Sequence, residues 1–169
     1  AKGYAVDRLG VMLEDKGAAD YLIEVGGELR TLGINQLKEQ PWVVGIDDPQ
    51  VLEGRKIKQI ITLRNRSMAS SGNYRKFRVD SISGKKYVHT IDPRTGYTKD
   101  SKILAVSVLA ETCMRADGFA TAFMAMELEA SKRILETDNS LEGYIIYLDA
   151  SGATSEYMTP GFKAVLKED

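Results

Sequence analysis

Cys113 stands alone in a chain of 169 residues, so no internal disulfide can form, and no CxxC pair or Cys/His cluster is present to hold zinc or an iron–sulfur centre. Histidine is as scarce, His89 being the only one. An excess of charge is missing too: 23 Lys and Arg face 24 Asp and Glu. A chain so balanced has no field with which to hold a polyanionic backbone or an anionic membrane surface, and nucleic acid drops out as a partner. No apolar run approaches the roughly 20 residues that a membrane-spanning helix needs. The start, Ala1-Lys2-Gly3-Tyr4, has neither the charged nor the apolar region of a secretion signal. GxxxxGK[ST] and GxGxxG are both absent, which removes the standard P-loop and dinucleotide-fold readings.

What is present is a chain of 43% hydrophobic residues, enough for one core and too little for two ordinary domains, so residues 1–169 read as one unit. Apolar residues at helical spacing predict an amphipathic helix over Tyr4 to Glu14, stopped by Gly17. Strands are predicted at Tyr21–Val25, Glu28–Leu32, Trp42–Ile46, Ile57–Arg64 and Met68–Ser70, the first segments punctuated by Gly26-Gly27, Gly33 and Asp48-Pro49. Phe77–Ile82 and Lys85–Ile91 flank Ser83-Gly84 as a hairpin. The Val-rich run Ile103–Leu109 suits a central strand. Helices follow around Arg115–Met126 and Ala130–Glu136, then strands at Tyr144–Asp149 and Ser155–Met158 across a turn at Ser151-Gly152. Strands interrupted by helices without regular βαβ alternation give an α+β class with a largely antiparallel sheet.

On the helix around residues 115–126, 100° per residue places Phe119, Phe123 and Met126 on one stripe with Ala116 and Ala122 beside it. Asp117 and Thr121, four apart, share the opposite side with Gly118 and Ala125. A carboxylate beside a hydroxyl suits a hard cation such as Mg²⁺; from spacing alone, an ordinary solvated face whose Asp complements the helix dipole is the commoner outcome. His89 precedes the turn Asp92-Pro93-Arg94-Thr95-Gly96, where it is either a general base or a structural imidazole. Arg94 either meets phosphate or braces that turn through Asp92. Ser67–Tyr74 (SMASSGNY) is hydroxyl-rich, and its single glycine allows close approach of a ligand to the backbone. Gly26-Gly27-Glu28 is a hairpin turn or a ligand contact.

Taken in chain order, KGYAVDR (Lys2–Arg8), GGE (Gly26–Glu28), SGNY (Ser71–Tyr74), HTIDPRTG (His89–Gly96) and ADGFAT (Ala116–Thr121) resemble the blocks of the ApbE family, the FAD:protein FMN transferases. The resemblance covers essentially the whole chain and implies an ApbE-like (T-fold-like) α+β architecture. It matches Asp117 and Thr121 to the family's metal-binding Asp and Thr, with Ala1 as the nearest residue to a backbone carbonyl that also holds Mg²⁺. It matches His89 to a histidine of the catalytic step. Lys2, Gly3, Asp7, Gly27, Glu28, Ser71, Gly72 and Arg94 fall in blocks that line the FAD site.

The reaction so implied is Mg²⁺-dependent transfer of FMN from FAD to a threonine of an acceptor protein, of the respiratory membrane subunit type, with release of AMP. Two other readings stay open: hydrolysis of FAD to FMN and AMP, and a flavin-binding or inactive fragment. Asn73 departs from the Asp that the family usually carries in its SGDY block. Family members also carry a long segment before KGYA. A chain opening directly into this block therefore reads as the C-terminal part of a longer protein, exported and periplasmic or lipid-anchored through residues that precede it. Asp149-Ala150-Ser151-Gly152-Ala153-Thr154 is a near match to the family's acceptor motif, which makes Thr154 a candidate for self-modification, although the same residues read as a hairpin tip.

Overall fold

The computed structural model describes residues 1–51, 54, 56–72, 77–79, 86–88, 90–98 and 102–167. Helix α1 (Lys2–Glu14) leads into the hairpin β1 (Tyr21–Val25) and β2 (Glu28–Leu32). Gly17 ends the helix as the glycine signal predicts: with φ at +86°, it lets its own amide reach Glu14 O at 2.9 Å and that of Ala18 reach Leu13 O at 3.0 Å. The two-residue hairpin turn uses Gly26 and Gly27 at φ +60° and +93°, the left-handed pair that a tight turn of this hand requires.

Strands β3 (Trp42–Asp47) and β4 (Ile57–Leu63) form an antiparallel ribbon. Strand β5 (Ser67–Gly72) follows, then the short pair β6 (Phe77–Val79) and β7 (Lys86–Val88). The Ser83-Gly84 turn predicted between that pair lies outside the described residues. Next come β8 (Ile103–Ala110), α2 (Cys113–Ala125), α3 (Leu128–Thr137), β9 (Glu142–Leu148), β10 (Thr154–Met158) and α4 (Pro160–Lys163). The main sheet runs β1-β2-β5-β8-β9-β10, and all its pairings are antiparallel. The α+β class with a largely antiparallel sheet is therefore what forms.

Strand β8 sits in the interior of this sheet, as its Val-rich sequence predicts, because both faces are covered. Val106, Val108 and Ala110 point to one side and pack with Ala116, Ala120, Phe123 and Met124 of α2 and Leu135 of α3. Leu109 points to the other, where Tyr144 and Ile146 of β9 meet Ile46 and Ile61 of the ribbon and Phe162 of α4. Truncating the fully buried Phe123 to Ala would cost about 3–5 kcal/mol.

Two expectations need correction. The buried arc of α2 centres on Cys113, Ala116, Ala120, Phe123 and Met124, while Phe119 and Met126 are only partly buried. The reason is that α2 packs on α1 as well as on the sheet, so small residues carry the close approach and Phe119 is left at the edge, under the Arg115 guanidinium. The strand predicted at Met68–Ser70 forms and extends over Ser67–Gly72 as β5 inside the main sheet. Helix α4 has no counterpart in the predicted elements, though Thr159-Pro160 carries a start signal: the Thr159 hydroxyl accepts from the amide of Phe162, and proline sits where no amide is needed.

Candidate functional site

The first turn of α1, the β1–β2 turn, the end of β5 and one face of α2 meet at one place. Gly3 makes the meeting possible: a Cβ there would lie 2.4 Å from the carbonyl oxygen of Cys113 and 2.7 Å from Cβ of Asp117, so only glycine lets the two helices approach this closely. Across this contact the amide of Gly3 donates to Asp117 Oδ2 at 2.9 Å. Among the described residues no group donates a hydrogen bond to Asp117 Oδ1. The carbonyl of Ala1 accepts from the amide of Ala5 at 3.3 Å as the first acceptor of α1.

Glu28 follows the glycine turn and is only 3% exposed. The Lys2 ammonium lies 2.5 Å from Glu28 Oε2 but off the axis of a hydrogen bond, so the contact is an ion pair and the buried oxygen has no hydrogen-bond partner among the described residues. Lys2 also donates to the carbonyl of Gly26 at 3.0 Å, tying α1 to the turn. Burial pushes the Glu28 carboxyl above its ordinary range; Lys2 works against that shift, and the negative charge of Asp117 adds to it. Nearby, burial first, then Asp7, Glu28 and Asp117, push the Cys113 thiol up to about 12, which makes it an inert core residue.

One turn beyond Asp117, the exposed Thr121 lines a cavity of about 230 Å³ together with Ser71, Gly72, Thr90, Ile91, Met124 and Ala125. On the face of the sheet away from α2, Ser70 and Ser107 share a hydroxyl hydrogen bond of 2.8 Å across β5 and β8. The amide of Ser70 donates to the carbonyl of Gly27 at 3.3 Å, which joins the cavity to the Lys2–Glu28 corner. Among the described residues, no three His, Cys, Asp or Glu gather as metal ligands.

Two sequence-derived candidates are engaged elsewhere. Asp7 Oδ1 and Oδ2 accept from the amides of Cys113 and Met114 at 2.9 and 2.8 Å, so its carboxylate caps α2. Arg94 forms a two-pronged pair with Asp92, Nε to Oδ1 at 3.1 Å and Nη2 to Oδ2 at 2.9 Å, and braces its own turn while its side chain stays 73% exposed. Gly96, at φ +74°, closes that turn on the carbonyl of Asp92. His89, Asn73 and Tyr74 lie outside the described residues. Thr154 begins β10, well along the chain from the cavity residues, and its hydroxyl accepts from the Gln50 amide at 2.7 Å. Thr90, Ile91 and Met124 were not anticipated individually; the first two lie within the HTIDPRTG block, whereas Met124 was hidden because its position reads as core.

Residues 1–145 match the model of the ApbE family. This chain belongs to the ApbE family. An FAD:protein FMN transferase of Haemophilus influenzae is 36% identical over 149 residues, which are 88% of this chain and 42% of the relative. The solved flavin transferase ApbE of Vibrio cholerae is similar at 33% identity and TM-score 0.80, over 98% of this chain and 50% of that one. The solved ApbE protein of Thermotoga maritima is similar at 30% identity and TM-score 0.79, over 99% and 52%. The chain thus spans about half the length of these relatives. Within the ApbE pattern, the described parts of the KGYA, GGE, SGNY and ADGFAT blocks are what meet around Asp117.

Proposed function

We propose that this chain serves Mg²⁺-dependent transfer of FMN from FAD to a threonine hydroxyl of an acceptor protein, with release of AMP. The observation that carries the reading is the pair of oxygen donors on successive turns of α2: Asp117, with Oδ1 open, and the exposed hydroxyl of Thr121 at the mouth of the cavity. That donor set is all oxygen and fits Mg²⁺, which prefers one or two protein oxygens and keeps its other positions for water and phosphate. The names of the ApbE relatives, FAD:protein FMN transferase, support the substrate and the kind of acceptor.

Asp117 and Thr121 would hold the cation, with the carbonyl of Ala1 as a further donor. Bound there, Mg²⁺ offsets negative charge on the FAD pyrophosphate. Ser71 and Gly72, at the end of β5, line the cavity on the side facing Thr121 and take part of the FAD. Lys2, fixed by Glu28 and the carbonyl of Gly26, puts a positive charge at the same corner. The threonine oxygen of the acceptor attacks the phosphorus on the FMN side, the bond from that phosphorus to the bridging oxygen breaks, AMP departs with the bridging oxygen, and His89 takes the hydroxyl proton. The isoalloxazine is cargo, and no electron changes hands.

The test is incubation of the full-length protein with FAD, Mg²⁺ and a threonine-bearing acceptor, followed by mass spectrometry. Covalent FMN on the acceptor, lost when Mg²⁺ is chelated, is the expected result. AMP released at the same rate without acceptor would replace this reading with FAD hydrolysis.

A further inference from the structure

The resemblance groups Asp7 with the residues lining the flavin pocket, yet its carboxylate is already committed. Each oxygen accepts one amide from the first turn of α2, Cys113 N at 2.9 Å and Met114 N at 2.8 Å. Arg30 Nη1 lies 3.5 Å from Oδ1, and the Asp7 side chain is only 14% exposed. The hydroxyl of Thr112 accepts the next amide, that of Arg115, at 3.3 Å. The first turn of α2 is thereby satisfied mainly from outside the helix, by a residue about a hundred positions earlier.

The geometry is reciprocal. Gly3 and Asp7 lie one turn apart on α1, and Cys113 and Asp117 one turn apart on α2. Asp7 takes the amide of Cys113, and Asp117 takes the amide of Gly3, so the helices are joined by two antiparallel rungs, each a carboxylate capping the start of the other helix. A helix transmits rotation at its first turn to residues one and two turns later. Those residues are Asp117 and Thr121.

We infer that Asp7 is a positioning residue for the Asp117/Thr121 cation site, acting through the N-terminus of α2 rather than by touching flavin. This rests on the metal reading above. With Asp7 in place, α2 cannot slide or turn against α1, and Asp117 keeps Oδ2 on Gly3 with Oδ1 presented beside Thr121.

The test uses the whole chain without FAD, with Mg²⁺ alone as probe. Asp7→Ala and Asp7→Asn are compared with the unaltered protein by Mg²⁺ titration calorimetry and by amide hydrogen exchange. Asp7→Ala is expected to speed exchange at Cys113 and Met114 about tenfold and to weaken Mg²⁺ binding by a similar factor. Asp7→Asn, which keeps one acceptor oxygen, falls between the two. Leu135→Ala, a core truncation on α3, loses stability but keeps the Mg²⁺ affinity, which separates positioning from general destabilisation. Unchanged Mg²⁺ affinity in a folded Asp7→Ala or Asp7→Asn protein overturns the inference while leaving the metal reading intact. An unaltered chain that binds no Mg²⁺ overturns both.

Discussion

The amide of Gly3 lies 2.9 Å from Asp117 Oδ2, a contact between residues 114 positions apart that exists only because residue 3 has no side chain. Gly3→Ala would place a Cβ 2.4 Å from the Cys113 carbonyl, and since that neighbour is backbone, the helices themselves must separate. The substitution is expected to cost roughly 1–3 kcal/mol, read as a drop in thermal midpoint of about 2–4 °C per kcal/mol for a chain of this size. A midpoint equal to that of the unaltered protein would mean that α1 and α2 do not meet as described.

On the proposed reading Asp117 has two separable tasks, the cap on α1 and the cation, and its substitutions divide them. Asp117→Asn can still accept from Gly3 but lacks the negative charge, so it is expected to keep its thermal midpoint and to lose at least about tenfold in Mg²⁺ affinity. Asp117→Ala loses the cap as well, and its stability falls by about 1 kcal/mol. Thr121→Val, on an exposed position, should weaken Mg²⁺ with little effect on unfolding. Calorimetric titration and thermal melts on the three variants check this together.

Glu28 gives the site a pH signature. Its carboxyl is raised above its unfolded value because burial outweighs the help from Lys2. Between the two values the folded chain holds a proton that the unfolded chain has released, so the contribution of Glu28 is most favourable below the unfolded value and declines as pH rises through the folded one. Glu28→Gln, which stays neutral, should melt above the unaltered protein at pH 7, and the gap should close on acidification towards pH 4. A Glu28→Gln protein that melts below the unaltered one at pH 7, with the deficit shrinking on acidification, would show that the Lys2 ion pair, not burial, governs this residue.

The cavity is open to a packing test at Ala125. Ala125→Leu places a larger side chain into a space of about 230 Å³ between Thr121 and Gly72. FAD affinity, measured by flavin fluorescence on the full-length protein, should fall at least about tenfold, while unfolding shifts by less than about 1 kcal/mol because the residue is only partly buried. Undiminished affinity would place the flavin elsewhere.

Much of this protein is legible along its chain. The glycine pair at 26–27 specifies a two-residue turn, the Val-rich run at 103–109 a strand covered on both faces, and the spacing of Asp117 and Thr121 a shared helix face, because each depends on residues within one or two turns of one another. The order of the KGYA, GGE, SGNY, HTIDPRTG and ADGFAT blocks is likewise a property of the sequence, and it leads to the ApbE family without coordinates. Tertiary structure decided the rest. That Asp7 caps α2, that Arg94 spends its guanidinium on Asp92, and that Lys2 meets a buried Glu28 all follow from which surfaces the sheet order brings together. A carboxylate reads the same in sequence whether it faces water, a helix amide or a cation. Its role is set by the desolvation and hydrogen bonds it meets after folding, and for Asp7 and Asp117 those come from residues more than a hundred positions away.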